Sequence, residues 1–173
     1  RTLAGQVRYR QAHYRVKETK LTHADGTAKD EVVQAYIGTK LEPGTPPAKY
    51  LYDAYAYDSG LELKNIREDI EEVIVYGKIP SHSICIPTVA SSNYSPDFMY
   101  VVKKADGKKE LNIVIETKAY DNETQIAQDE ERKIDCAEQF FHSLQADGYD
   151  VRFRRQLNTS GVKAIINELI EED

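Results

Sequence analysis

The sequence contains no tryptophan, one methionine and only two cysteines, Cys85 and Cys136, among its 173 residues. These cysteines fall in a predicted strand and a predicted helix, so buried, reduced thiols are expected and a disulfide framework is not. No apolar run approaches the about 18 to 20 residues that a membrane-spanning helix needs, and no basic and apolar leader is present. We therefore expect a cytoplasmic protein, without a membrane partner, built around one hydrophobic core.

An excess of positive charge is also lacking. The chain carries 29 acidic residues against 23 Lys and Arg, a formal net charge of −6. Proteins that bind nucleic acid tightly on their own usually have a net basic surface, so this balance argues against such a role. Catalysis on DNA stays open, because acids can hold a metal ion while a larger parent protein contacts the phosphates. The start at Arg1, without Met, suggests a piece of a longer protein.

The first fifty residues have a strand-like pattern. Residues 6–40 are predicted to be extended around a turn at Asp25-Gly26, and residues 31–41 are predicted to form a strand because Val, Ile and Tyr dominate them. Residues 42–47, with three prolines and a glycine, break regular structure. We therefore treat residues 1–49 as a β-rich N-terminal extension or connector.

Residues 50–173 are predicted to form the main domain. A helix is expected over residues 59–73, where Ser59 and Glu62 match the spacing of a capping box. Three or four strands, a long helix, a strand and a final helix follow in the apolar pattern. This order predicts an α/β protein in which helices cover the faces of a sheet.

An apolar hairpin over residues 95–118 carries charged residues at its far ends. If its Asp-Gly pair forms a two-residue turn, Asp97 lies opposite Glu116, and Lys118 returns to the same face. A three-residue loop would instead send Asp97 to the other face. The predicted cluster of two acids and a lysine therefore depends on this register.

Two opposed carboxylates about 5 Å apart repel each other and destabilise a sheet unless a cation offsets their charge. Mg²⁺ suits such a pair, because it prefers oxygen ligands and leaves positions for water and phosphate. Lys118 could orient or deprotonate the water, or neutralise charge on phosphorus. The cluster predicts metal-assisted phosphodiester hydrolysis; the simpler interpretation is that charged residues only mark the strand ends.

The motif Pro96-Asp97-Phe98, followed after the hairpin by Glu116-Thr117-Lys118, resembles the PD-(D/E)xK nuclease signature. The longer phrases "YDSGLE", "VYGKIP", "IPT", "YSPDF" and "NIVIETK" resemble the C-terminal endonuclease domain of the restriction (Res) subunit of type III restriction enzymes. The resemblance covers residues 50–173 well and the first fifty loosely. It implies a restriction-endonuclease-like core with an N-terminal β-hairpin extension and a C-terminal helix.

The resemblance also implies roles for individual residues. Asp97 and Glu116 would be Mg²⁺ ligands, Thr117 would lend its backbone carbonyl to the metal, and Lys118 would be the catalytic lysine. Glu62 would be the acid that many members place near the metal from the first helix. Glu62 can equally be only a helix cap, and we expect the two roles to compete for its carboxylate.

By this resemblance the chain is expected to be a Mg²⁺-dependent endonuclease domain of a restriction-modification enzyme, a hydrolase acting on double-stranded DNA. A helicase-like motor in the same parent chain would use ATP, and a separate modification (methyltransferase) subunit would recognise the DNA site. One alternative is another PD-(D/E)xK nuclease, acting in repair or on particular DNA structures. Another is a non-catalytic DNA or protein docking module, against which the intact set of Asp97, Glu116 and Lys118 argues.

Overall fold

The computed structural model describes residues 9, 18–89, 92–104, 106–107, 110–122, 124 and 126–172. Within these residues lie eight β-strands, three α-helices and a short 3₁₀ helix over Gln34–Tyr36. In chain order the elements are β1 Lys40–Glu42, β2 Tyr55–Tyr57, α1 Gly60–Arg67, β3 Val73–Lys78, β4 Ile86–Pro87, β5 Asn93–Tyr94, β6 Phe98–Lys103, β7 Glu110–Lys118, α2 Gln128–Ala146, β8 Val151–Leu157 and α3 Val162–Glu171.

A four-stranded mixed sheet in the order β3-β6-β7-β8 forms the centre of the fold. The first three strands run antiparallel, and β8 pairs parallel to β7 after the chain crosses over through α2. Helices α1 and α3 contribute Ile66, Val162 and Ile166 to the core on one face, while α2 contributes Ile134, Ala137 and Phe141 on the other. The predicted α/β architecture, of the restriction-endonuclease-like kind, is confirmed.

The register of the β6–β7 hairpin is the one that the sequence predicts. Phe98 pairs with Ile115, and the ladder continues without a shift to Lys103 opposite Glu110. Gly107 has a φ of 66°, in the left-handed region that glycine tolerates best. The loop of the hairpin therefore has an even number of residues, and Asp97 stays on the predicted face of the sheet.

The predicted strand over residues 31–41 is wrong. Its centre is the 3₁₀ helix, which the Gln34 side-chain amide closes by donating to the Gly38 carbonyl oxygen at 3.0 Å. A Cβ at Gly38 would lie 2.2 Å from the backbone nitrogen of Tyr57, so the chain passes too close to β2 for any other residue. The predicted turn at Asp25-Gly26 is present. The residues on either side of it, Thr22 and Ala28, form an isolated antiparallel bridge. Residues 6–8 and 10–17 lie outside the described residues.

Two further predictions need correction. Helix α1 ends at Arg67 rather than near residue 73, because the backbone becomes extended at Glu68, and Ile70 packs into the core from the connection to β3. Both cysteines are free, but only Cys136 is buried, because Cys85 precedes the short strand β4 and is exposed. No helix among the described residues is long and apolar enough to cross a membrane. The boundary at residues 49 and 50 stays a prediction.

Candidate active site

Asp97 and Glu116 meet at the end of the hairpin where β6 begins. The Oδ2 atom of Asp97 accepts hydrogen bonds from the backbone nitrogen of Thr117 at 2.8 Å and from its hydroxyl at 2.6 Å. The backbone carbonyl of Asp97 accepts a third bond from the nitrogen of Ile79 in the adjacent chain segment, at 2.7 Å. Asp97 is thus fixed across the end of the sheet, and its Oδ1 atom accepts no hydrogen bond from any residue that the structure describes.

Glu116 is buried, with 4% of its surface exposed, and each of its carboxylate oxygens has a partner. Oε1 lies 2.9 Å from Nζ of Lys118, and Oε2 accepts a hydrogen bond from the hydroxyl of Tyr94. Burial and then the charge of Asp97 raise the pKa of Glu116 to about 7, although Lys118 and Tyr94 oppose the rise. Burial of this carboxyl group beside a second acid therefore disfavours its charged form.

Lys118 is the basic group of this cluster. Its Nζ atom lies 3.6 Å from Oε1 of Glu130 on α2 as well as close to Glu116. Burial alone would lower the pKa of Lys118, but the charges of Glu116, Glu130 and Asp97 together raise it above the ordinary value. Lys118 is consequently a charged ammonium at neutral pH in the metal-free site.

Glu62 lies near the same site and does form the predicted capping box with Ser59. Its Oε2 atom accepts hydrogen bonds from the backbone nitrogens of Asp58 at 2.7 Å and Ser59 at 3.4 Å, and from Nζ of Lys78 at 2.7 Å. All three bonds use Oε2, so Oε1 accepts none from the described residues. Capping is thus present and uses Oε2, which leaves Oε1 as a second oxygen; metal binding by Glu62 stays a prediction.

The charge of Glu62 reaches the main acid pair. Burial is the largest cause that raises the pKa of Asp97, the hydrogen bonds from Thr117 oppose it, and the negative charge of Glu62 raises it further. The negative charge of Glu62 thus acts on Asp97, and the metal role that the resemblance implies for Glu62 stays a prediction. Thr117 lies beside Asp97 too, with its nitrogen and hydroxyl engaged, and the predicted metal role of its carbonyl stays a prediction.

Lys78 is a residue of this region that the sequence analysis did not select. It ends β3, is 4% exposed, and forms ion pairs with Glu62 at 2.7 Å and Asp58 at 3.1 Å. With Asp58 and Asp97 it lines a cavity of about 430 Å³. A lysine at the end of the apolar run "VIVYGK" was the available signal, because Lys78 follows the buried Tyr76 by two residues and so lies on the same face of β3.

Two buried amides hold α1 against the sheet beside the acids. The Asn65 amide nitrogen donates to Gln156 at 2.5 Å, and Gln156 donates back at 3.0 Å. Gln156 pairs with Thr117 across the parallel strands β7 and β8. This amide pair therefore joins α1, which carries Glu62, to β8, the strand that pairs with the strand of Glu116. The sequence pattern did not indicate this contact.

The donor chemistry of the acids fits a divalent cation. Among the described residues, no three His, Cys, Asp or Glu side chains are already arranged as a metal site. However, Asp97 and Glu62 each keep one oxygen without a hydrogen bond from a described residue, and burial together with a neighbouring negative charge raises the pKa values of Asp97 and Glu116. Mg²⁺ requires only one or two carboxylates and completes its shell with water and phosphate oxygens.

Comparison with known proteins identifies the family. A family model described as an endonuclease domain matches residues 48–160. The chain belongs to this endonuclease domain family. The resemblance inferred from "YSPDF" and "NIVIETK" is thereby confirmed.

Curated relatives of this endonuclease domain are Res subunits. The chain is 36% identical over 157 residues to the type III restriction-modification enzyme EcoPI Res subunit of Escherichia phage P1, and 37% identical over 157 residues to the EcoP15I Res subunit of Escherichia coli. Each match covers 90% of this chain and 16% of the relative. The StyLTI Res subunit of Salmonella typhimurium is 29% identical over 157 residues, covering 85% of this chain and 15% of that protein. The chain thus spans about one sixth of the length of these relatives, and no solved structure matches it significantly.

The raised pKa of Glu116 predicts how metal-free stability depends on pH. The pKa of this carboxyl rises from 4.5, its ordinary value, to about 7 in the fold, so between these pH values the folded state binds more protons than the unfolded state. We expect the free energy of unfolding to fall as pH rises through this window, by on the order of 1 to 3 kcal/mol from Glu116. Urea denaturation in EDTA from pH 4.5 to 8 measures it.

The substitution Glu116→Gln should remove this part of the pH dependence, because the amide does not titrate. The matched control is Glu110→Gln, which alters an exposed residue at the other end of the same strand and should leave the slope unchanged. An identical pH dependence in wild type and Glu116→Gln would contradict the assignment.

Proposed function

We propose that this chain is the Mg²⁺-dependent DNA-cleaving domain of a type III restriction enzyme, acting by hydrolysis of phosphodiester bonds. One observation carries the proposal: Asp97 and Glu116 lie together at the end of a hairpin, with the ammonium of Lys118 bound to Glu116. This is the arrangement of acids and base that metal-assisted hydrolysis needs. The names of the curated relatives supply the restriction-enzyme context.

In this proposal Asp97, Glu116, the Thr117 carbonyl and Oε1 of Glu62 hold the cation. When bound there, Mg²⁺ would supply an activated water and would stabilise negative charge on the phosphate. The chain's own groups do the rest: Thr117 orients Asp97 through two hydrogen bonds, and Lys78 with the cap of α1 orients Glu62.

Lys118 acts on the water and phosphate in this proposal. Its ammonium lies beside Glu116, where it orients the attacking water and neutralises negative charge that develops on the phosphate oxygens. One such site cuts one strand, so two domains have to meet on DNA for double-strand cleavage. Since the net charge is −6, contacts that hold double-stranded DNA come mainly from elsewhere in the assembly.

The remaining functions belong to partners in the proposed assembly. A helicase-like motor in the same parent chain uses ATP to translocate, and a modification (methyltransferase) subunit recognises the site, both in the cytoplasm. A repair or structure-specific nuclease of the same fold is the second candidate, because the same cluster of acids and lysine serves that chemistry. A docking module without catalysis has no use for Lys118 bound beside two acids.

Calorimetry tests whether the acids bind metal. Titration of Mn²⁺ into the nucleotide-free protein is expected to give heat from a weak site in wild type, and none from that site in Asp97→Asn. The amide preserves an oxygen that can accept from Thr117, so the fold is retained while the ligand charge is lost. Glu110→Gln is the matched control and should bind as wild type does. Equal heats from wild type and Asp97→Asn would refute metal binding here.

A further inference from the structure

Tyr94 is a buried residue that contacts the candidate metal site but belongs to a separate part of the chain. It lies on β5, is 7% exposed, and its hydroxyl donates a close hydrogen bond to Oε2 of Glu116. We propose that Tyr94 is a positioning residue, which fixes the carboxylate of Glu116 in the orientation that a divalent cation requires. This inference rests on the proposed function of the site.

The ring of Tyr94 is held rigidly by its surroundings. Its backbone pairs with Ile86 in the small antiparallel sheet formed by β4 and β5. The ring belongs to the hydrophobic cluster on the α2 face of the central sheet, which also includes Ile79, Val114 and Ile126. Because a packed ring has few alternative rotamers, the position of its hydroxyl is set by the core rather than by the bond to Glu116.

The other partner of Glu116 is less constrained. Lys118 has a flexible four-carbon stem and a second acid, Glu130, within 3.6 Å of its ammonium. A cation that binds near Asp97 competes with this ammonium for the acids, since both are positive. The hydroxyl of Tyr94 is neutral and does not compete in this way, so it can keep its bond to Oε2 while the cation binds.

This arrangement matches a general property of metal sites. Carboxylates that bind metals are usually oriented by hydrogen bonds from neighbouring groups, and loss of such a partner typically weakens metal affinity by about 10- to 100-fold. Tyr94 supplies such a bond from β5, so the small β4–β5 sheet takes part in building the site. A merely structural tyrosine would contribute to stability and leave metal affinity unchanged.

Mn²⁺ binding to the nucleotide-free full-length protein tests the proposal, with the free Mn²⁺ followed by electron paramagnetic resonance. Tyr94→Phe removes one oxygen and retains the packed ring, and we expect the Kd for Mn²⁺ to rise about 10- to 100-fold. The matched control is Tyr100→Phe, because the Tyr100 hydroxyl is buried in the core and has no hydrogen-bond partner among the described residues. The control should change the Kd by less than about threefold. Thermal unfolding in EDTA measures the stability of both variants.

The outcomes separate this inference from the function on which it rests. A Kd for Tyr94→Phe within about threefold of wild type overturns the positioning role and leaves the metal site intact. An equal loss of affinity in Tyr94→Phe and Tyr100→Phe also overturns it, because the effect would then come from the core in general. Absence of Mn²⁺ binding in wild type instead refutes the proposed function itself.

Discussion

Asp97→Asn, Glu116→Gln and Lys118→Met are each expected to lower DNA cleavage by the full-length protein by at least about 10³-fold, while ATP hydrolysis continues. The two acids lose the charge that holds the cation, and the lysine variant loses the ammonium 2.9 Å from Glu116. These isosteric changes suit the site better than alanine, because Asp97 also accepts two hydrogen bonds from Thr117. Cleavage of a plasmid by the proposed assembly, with modification subunit and ATP present, measures the loss, and an ATPase assay on the same samples checks the proposed motor.

The same hairpin provides the controls for this experiment. Lys103 and Glu110 pair at the turn end of the hairpin, and both are exposed. They are matched controls because they are also a lysine and a glutamate, but lie far from the site. Lys103→Met and Glu110→Gln should leave cleavage within about twofold of wild type, as expected for surface changes. Cleavage at the wild-type rate in any of the three site variants would disprove the assignment of that residue.

Lys78→Met is expected to lower the free energy of unfolding by about 3 to 5 kcal/mol. The substitution leaves Glu62 buried, 7% exposed, without the ammonium that lies 2.7 Å from it. Removing one partner of a buried ion pair is costly because the other charge stays in a low-dielectric environment. Urea denaturation followed by circular dichroism measures the change.

Two further variants show whether the buried charge is the cause. Adding Glu62→Gln to Lys78→Met should recover part of the lost stability, because the neutral amide no longer needs a counter-ion. Lys29→Met breaks the more exposed ion pair between Lys29 and Glu18, at 2.7 Å, and should cost much less stability because solvent screens that pair. If Lys78→Met costs no more than Lys29→Met, the buried network does not stabilise the fold.

The hairpin and the helices follow from local rules that the sequence carries. An Asp-Gly turn and a side-chain period of two are enough to place Asp97 opposite Glu116, because register in a hairpin depends on the few residues of its loop. The capping box of α1 is likewise local, since Ser59 and Glu62 are three residues apart. Prediction of these features from the sequence succeeded because every contact involved is short in range or passes through one turn.

The 3₁₀ helix over Gln34–Tyr36 shows why other predictions failed. Val, Ile and Tyr favour a strand there, but the close approach of Gly38 to the backbone of Tyr57 bends the chain instead. That contact joins segments nineteen positions apart in sequence, and residue propensity contains no information about it. Tertiary packing overrides local preference at such a point.

The completed site is a further product of tertiary structure. By itself, the sequence determined the fold class, the hairpin register and the pairing of Asp97 with Glu116 and Lys118, because these depend on local periodicity and one turn. Only the tertiary structure placed Tyr94 on Glu116 and Lys78 on Glu62, and only it assigned the cap and the ion pair of Glu62 to a single oxygen. These contacts bring together separate strands and a helix, so they exist only once the sheet and its covering helices have packed.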